Sequence, residues 1–518
     1  MAQSQGGVGR ERENKITERG ERETPAIVFR EFMGMNVQSP RQSIHDNQFF
    51  WLENVQPIGP GNLPTVAAPS SALATLTGEV VTGAFAANVN GSDYHYAFCS
   101  SGAAYQVLAI SPYTKVKIAN AGTFSPSGVA AAQWKNDGIV IIDPSKGYFD
   151  WNITAPSALT LIDIATLGSS IATFSGRVWI GHSRTVAFTD VNTYNSFAGA
   201  GGSFTITDST LHNAIEQLFT ANNFLYIIGD DSIDILTNVT VTAGVTSFTR
   251  NNVTASVGTN QPFSVFPYYR AVAFANPAGF YALFGASPEK ISDDLDKLVQ
   301  AIDFTLPVCG AQAFVNNILC AAFLFTFNDT FTPAATSRSV LALLQDKKWW
   351  LASQGTGLKY LVYLPIAGVQ TLFAWDANKL YQLFSSPNGA INSRIQTKLW
   401  DGSEPILDKQ ILRGALGVTY GGQGGQTITA TTDNEYGSQM LTVVGTSTVT
   451  WLNASAGIVQ FQNSLSENVN WTTTGFVFSA GAASTGGHAK YMGMTLTSTN
   501  NNINFNEIAL EYKTGARW

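Results

Sequence analysis

Charge is what this chain has least of. Asp, Glu, Lys and Arg make up 13% of its 518 residues, about half the usual ~25%. Disordered chains are rich in charge and poor in apolar residues. Here 45% of residues are apolar, so disorder over most of the length is excluded. Such a surface must be covered by Ser, Thr, Asn, Gln and Gly, or by other proteins. The net charge of −7 argues against a general nucleic-acid binder, which carries a basic face. It is compatible with a protein that DNA slides past without sticking. Cysteine is scarce too. Cys99, Cys309 and Cys320 fit no CxxC pattern, which excludes a disulfide framework and a cysteine zinc site; each sits in or beside an apolar run and reads as a buried thiol. The longest apolar stretch, Ile318 to Phe325, falls far short of the ~20 residues that cross a bilayer. Met1 to Thr24 has no signal core, so the expectation is a soluble product without an export signal.

The length corresponds to roughly three or four domains of about 150 residues, or to fewer if a repeat barrel or propeller absorbs much of it. Residues 1–24 form a separate zone. Five cations (Arg10, Arg12, Lys15, Arg19, Arg22) alternate with five anions (Glu11, Glu13, Glu18, Glu21, Glu23), with almost no large apolar side chains. An isolated arm of this kind has nothing to bury, and it reads as a segment that orders against a neighbouring subunit.

From about residue 90 to 385 one device recurs: a short apolar strand, a tight polar turn and a second apolar strand. Tyr94–Cys99 turns into Tyr105–Ile110, Ile139–Ile142 into Tyr148–Trp151, Arg177–Ile180 into Thr185–Phe188, and Phe224–Ile228 into Ile233–Leu236. Phe280–Phe284 turns at Ala286-Ser287-Pro288. Cys320–Phe327 returns through Ser339–Leu344, and Leu372–Trp375 through Leu380–Phe384. The turn centres fall near residues 101, 145, 183, 230, 287, 332 and 377, a spacing of roughly 45 residues, the size of a four-stranded propeller blade. Strands without polar alternation are buried on both faces. Two short helices are expected between blades. Ser209 would cap one carrying Leu211, Ile215, Leu218 and Phe219; Ser292 would cap another carrying Leu295, Leu298, Val299 and Ile302, with Asp293 and Asp294 at its positive end.

After about residue 388 the texture changes to Thr-, Val- and Gly-rich strands: Ile411–Tyr420, Gln426–Thr431, Thr448–Leu452, Phe476–Ser479 and Met492–Leu496. These read as a β-sandwich or jelly roll. The expected architecture is all-β: a charged arm at 1–24, a β-propeller of six or seven blades with its opening segment at 25–388, and a β-sandwich at 389–518.

No catalytic constellation stands out. The histidines His45, His95, His182, His212 and His488 are far apart, and none has metal-ligand spacing. His182-Ser183 lacks a GxSxG elbow and reads as a turn. Asp293, Asp294 and Asp296 lack the glycine and closing glutamate of an EF-hand loop. Gly421–Gly425 has no following Lys-Ser/Thr, so it is no phosphate loop. Trp134, Trp179, Trp349 and Trp350 read as blade-packing aromatics. The expectation is a protein without enzymatic activity, with no catalytic, metal-binding or cofactor-binding residues.

Four segments resemble a known family. Phe32-Met33-Gly34-Met35-Asn36, Pro40-Arg41-Gln42, Phe49-Phe50-Trp51-Leu52-Glu53-Asn54-Val55 and Gly59-Pro60-Gly61-Asn62-Leu63 resemble the opening of tail proteins from short-tailed phages. Gly176–Phe197, Thr397-Lys398-Leu399-Trp400-Asp401 and Gly493–Trp518 are similar to the same group, in the expected order. That family is the tail nozzle, also described as the tail tubular or packaged-DNA-stabilising protein. The resemblance implies a virion component, made in the host bacterial cytoplasm, that forms a ring, usually a hexamer, below the portal and adaptor. Such a ring closes or extends the DNA exit channel, retains the packaged genome, takes part in its ejection and offers attachment to fibres or spikes. The chain lacks the big insertions between blades of larger family members. Low charge suits a subunit that buries several faces, and an acidic ring repels phosphate, so DNA can pass without a salt-dependent grip. The competing class is a carbohydrate-binding or glycan-cleaving propeller; the Ser-x-Asp-x-Gly-x-Thr-Trp turns of sialidase blades are not present.

Overall fold

The computed structural model describes residues 25–515, apart from 154–157, 286, 329–336, 356, 388, 421–425, 436, 446–450, 453–457, 460, 463–467, 470–473, 481–488 and 500–501. The arm, the turn centre near 332, Gly421–Gly425 and the start of the Thr448–Leu452 strand therefore lie outside the described residues.

Three strands open the chain: β1 (Ala26–Phe29), β2 (Phe49–Glu53) and β3 (Leu63–Pro64). After the two-residue β4 (Ala74–Thr75), four-stranded antiparallel sheets follow one another. Blade 1 is β5 (Val81–Val89), β6 (Ser92–Cys99), β7 (Ala104–Leu108) and β8 (Lys115–Ala119). Blade 2 is β9 (Ala130–Trp134), β10 (Gly138–Asp143), β11 (Gly147–Asn152) and β12 (Ala158–Asp163). Blade 3 is β13 (Ser170–Phe174), β14 (Arg177–His182), β15 (Thr185–Phe188) and β16 (Gly202–Thr205). Blade 4 is β17 (Ile215–Ala221), β18 (Phe224–Gly229), β19 (Ile233–Thr242) and β20 (Val245–Thr254). Blade 5 is β21 (Phe266–Tyr268), β22 (Ala271–Asn276), β23 (Gly279–Phe284) and β24 (Ser287–Lys290). Blade 6 is β25 (Cys309–Val315), β26 (Ile318–Asn328), β27 (Ser337–Gln345) and β28 (Lys348–Ala352). Blade 7 has β29 (Tyr360–Ile366), β30 (Val369–Trp375) and β31 (Lys379–Gln382), and takes β4 as its fourth strand.

The first strands pack side by side in succession from β5 to β17, and from β21 through β25 and β29 back to β5. Blades 4 and 5 meet through Tyr226, Ile228 and Ile233 against Val272, Phe274 and Leu283. Among the described residues the ring is closed and has seven blades.

The wholly apolar strands explain themselves in this arrangement. In β10, Ile139 and Ile141 pack towards blade 1, while Val140 and Ile142 pack towards blade 3. Both faces of the pleat are buried, so polar alternation has no place in it. Trp51, Trp179, Trp350 and Trp375 are fully buried.

The C-terminal strands are β32 (Ser393–Thr397), β33 (Lys409–Tyr420), β34 (Gln426–Asn434) and β35 (Gly437–Gly445). Two small hairpins follow: β36 (Trp451–Leu452) with β37 (Ile458–Val459), and β38 (Phe461–Gln462) with β39 (Asn468–Val469). Last come β40 (Thr474–Ala480), β41 (Met492–Ser498) and β42 (Ile503–Thr514). One sheet runs β1-β42-β33-β40, with β3 also on β42; the other runs β28-β2-β32-β41-β34-β35 and continues through β28 into blade 6. Leu416, Val418, Phe505 and Ile508 from the first meet Ile428, Ala430, Met494 and Leu496 from the second in one core. This is the expected sandwich. The opening segment, grouped with the propeller in the sequence, contributes β1, β2 and β3 to its two sheets.

The expected helix after Ser209 is not formed. Leu211 is buried in a turn, and Ile215–Ala221 is strand β17. A register shift between Ile215 and Gln217 turns Ile215 and Leu218, three apart, to the same core. A bulge thus reproduces the spacing of a helix. After Ser292 a 3-10 turn (Asp293–Leu295) runs into the single-turn helix α1 (Asp296–Val299), with Leu295, Leu298 and Val299 buried. Ser292 does not cap it; its hydroxyl accepts the Phe280 N–H at 3.0 Å.

Candidate functional site

The segments that carry the family resemblance supply the site, because three of the four converge where the sandwich meets blades 5 and 6. Gly34 has φ +88°, and a Cβ there would lie 3.0 Å from the Lys348 Cα. Only glycine lets the opening segment run this close to the edge of blade 6. Met35 N–H then donates to the Trp349 carbonyl at 2.8 Å. Asn36 donates to the Asp294 carboxylate at 2.8 Å and to Gln48 at 3.1 Å, while Val37 N–H reaches the Asp294 carbonyl at 2.8 Å. Burial pushes the Asp294 carboxyl up, and Asp293 adds to it.

Glu53-Asn54-Val55 forms the next pin. The Glu53 carboxylate accepts from the Trp51 indole at 2.9 Å and from the Ser353 hydroxyl at 2.5 Å. Asn54, at φ +58°, accepts Ser353 N–H at 2.9 Å and donates to the Asn392 carbonyl at 2.6 Å. One asparagine in a left-handed conformation thereby ties the opening strand, blade 6 and the sandwich together. Gln56 donates to the Gln345 side chain and accepts from Asn316 at 2.8 Å. Gly61 N–H donates to the Arg30 carbonyl at 2.8 Å, and Asn506 donates to the Gly61 carbonyl at 2.8 Å.

Arg41 is the charged centre. Its guanidinium donates to the Thr397 carbonyl at 2.6 Å, the Asp433 carboxylate at 2.6 Å and the Met494 carbonyl at 3.2 Å. Lys398 pairs with Asp46 at 2.8 Å. Trp400 exchanges backbone hydrogen bonds with Met492 at 2.7 and 2.9 Å, and its ring stands 5.6 Å from Phe29. The charges here neutralise one another in place, so the arrangement is built to hold two units together.

The fourth segment, Gly176–Phe197, lies away from this junction, in blade 3. Arg177 is buried there, donating to the carbonyls of Thr189 and Ala200 at 2.6 and 3.0 Å and to the Thr246 hydroxyl at 2.8 Å, with its guanidinium over the Phe188 ring.

The other residues singled out in the sequence are scattered. His182 ends β14, exposed, and Ser183 sits at φ +52° in the turn, where its carbonyl accepts Ile215 N–H at 2.7 Å. Asp293 and Asp296 face Lys290, at 3.9 and 2.6 Å. Among the described residues no group of three or more His, Cys, Asp or Glu is arranged to hold a metal ion. Cys99, Cys309 and Cys320 are buried free thiols, and burial pushes each up to about 12. Sequence reasoning missed the contact between His212 and Asp231, the Asn213–Asp230 hydrogen bond beside it, and the role of Arg177. Residues from separate loops carry no shared spacing that would reveal them.

No protein-family model matches the sequence, and no curated protein does. Among solved structures the chain is similar to the extracellular domain of a one component system from B. thetaiotaomicron. Identity is 11% and the TM-score 0.41, over 62% of this chain and 41% of that one. It is also similar to the WD40 β-propeller domain of Doa1, at 6% identity and TM-score 0.36, over 61% of this chain and 97% of that one. The chain thus matches less than half the length of the first. The strand pairings, not these likenesses, establish the propeller.

Proposed function

We propose that this chain is a structural subunit of a short phage tail. It forms a nozzle ring below the portal and adaptor that closes or extends the DNA exit channel and takes part in genome retention and ejection. The observation that carries the reading is the convergence of Phe32–Leu63, Thr397–Asp401 and the strands of Gly493–Trp518 on one junction. Residues of these three segments, hundreds of positions apart, supply side-chain and backbone bonds that fasten propeller to sandwich. Low charge and net acidity support the same reading: such a subunit can bury several faces and let phosphate pass. The protein is not an enzyme, it needs no cofactor, and its partners are its own copies, portal and adaptor proteins, and fibres or spikes.

Electron microscopy of the purified protein, and of particles carrying it, tests the proposal. Rings, or density directly below the portal, are expected. A protein that stays monomeric, is absent from particles and releases reducing sugar from a host polysaccharide is instead a glycan-cleaving propeller.

A further inference from the structure

Among the described residues the sheet β1-β42-β33-β40 has two open ends. Tyr512 N–H donates to the Pro25 carbonyl at 3.0 Å, so Pro25 and Tyr512 form a bonded pair. In an antiparallel ladder bonded pairs alternate with non-bonded ones. With Ile27 opposite Leu510 and Phe29 opposite Ile508, those residues point their N–H and C=O groups into the sheet. Ala26 and Val28 point theirs outward, where among the described residues no strand meets them. At the far end, β40 is paired only with β33 among the described residues.

Natural edges are blunted with Lys, Pro or cover. The outer strand of blade 1 carries Lys115 and Lys117, that of blade 5 carries Pro288, Glu289 and Lys290, and that of blade 6 is covered by β2. The Ala-Ile-Val-Phe strand β1 carries no Lys or Pro and, among the described residues, no covering strand, and Val28 and Met33 are exposed there. A further 24 residues, with five cations and five anions, precede this edge.

We infer that β1 of one copy adds to β40 of the next, continuing the sheet from subunit to subunit. A contact between two different edges is heterologous, and where the rotation between copies closes it builds a ring. The inference rests on the ring in the proposed function and names the contact that builds it.

Val28→Pro tests it. Proline removes an outward N–H and leaves the bonds to β42 intact. Native mass measurement should show subunit association weakened by about tenfold or more, with an unchanged melting transition. Val28→Lys, which keeps the backbone donor but charges the edge, should do the same and stands in if the proline variant does not fold. In the wild type, amide exchange at Ala26 and Val28 should slow on assembly. Rings from both variants, with the wild-type amides of Ala26 and Val28 still exchanging fast on assembly, overturn the edge pairing and leave the nozzle reading standing. A wild type that never assembles overturns both. Protection of Val28 only on mixing with another tail protein overturns the copy-to-copy contact.

Discussion

His95 lies on β6 at the seam where blade 1 meets blade 7, its ring 4.4 Å from Phe373. It is fully buried, neither ring nitrogen has a hydrogen-bond partner among the described residues, and burial takes it from 6.5 down to about 3. The folded state prefers the neutral imidazole. Its contribution is therefore complete above pH 6.5 and is lost as the pH falls towards 3, roughly 3–5 kcal/mol in all. Asp150 works the other way. Burial pushes it from 3.8 up to about 6, so its contribution is present below pH 3.8 and lost as the pH rises through 6. Thermal melting of wild type and His95→Leu from pH 7 to pH 3 separates the two, since Asp150 is common to both. The variant should lose less stability on acidification; equal slopes would exclude the histidine as the cause.

At the level of single elements, the recurring hairpin was legible because apolar runs and polar turns are local signals. In six blades it joins the second and third strands; in blade 5 it joins β23 to β24. The first-to-second connections escaped notice because they are only two residues long in most blades. Asn90-Gly91, Ser175-Gly176, Asn222-Asn223, Asn316-Asn317 and Ala367-Gly368 all have positive φ at both positions, the geometry that matches the twist of paired strands. The long hairpin β19–β20 is a different matter. It leaves blade 4 and lies over blade 3, where Phe248 packs on Trp179, Phe188 and Phe204 and Thr246 meets Arg177. Nothing local in the sequence announces a contact 69 residues apart. Arg177→Met keeps the bulk but removes the guanidinium's donors: the Thr189 carbonyl loses its partner and the Ala200 carbonyl keeps only the Thr246 hydroxyl. It should cost about 3 kcal/mol and speed amide exchange in β19–β20 ahead of the rest of blade 4. Unchanged exchange there would show that Phe248 alone holds the hairpin down.

Across the whole molecule, the junction was only half readable. Its residues stood out as a family pattern, yet their partners, Asp294, Asp433 and Asn392, are supplied by remote parts of the chain. Residues 1–24 belong to this scale as well. They bring almost no large apolar side chains, so deleting them should leave the melting transition where it is. Incorporation into particles should fall, and most at low salt, because salt screens paired charges over about 8 Å at physiological ionic strength and so weakens the arm's contacts in the full-length chain as well. Normal incorporation of the truncated chain at low and high salt would show that the arm is dispensable.

Among the described residues, the sheet of blade 6 is the one blade sheet that continues, through the pairing of β2 with β28, into the sandwich. A ring of seven similar sheets has no natural starting point, and a partner reading its face could settle in any of seven orientations. Here blade 6 serves as a fixed zero on the dial. Every turn on the disc, from Asn90-Gly91 to Ala367-Gly368, then has its own bearing relative to the sandwich. A molecule docking on that face meets a single registration.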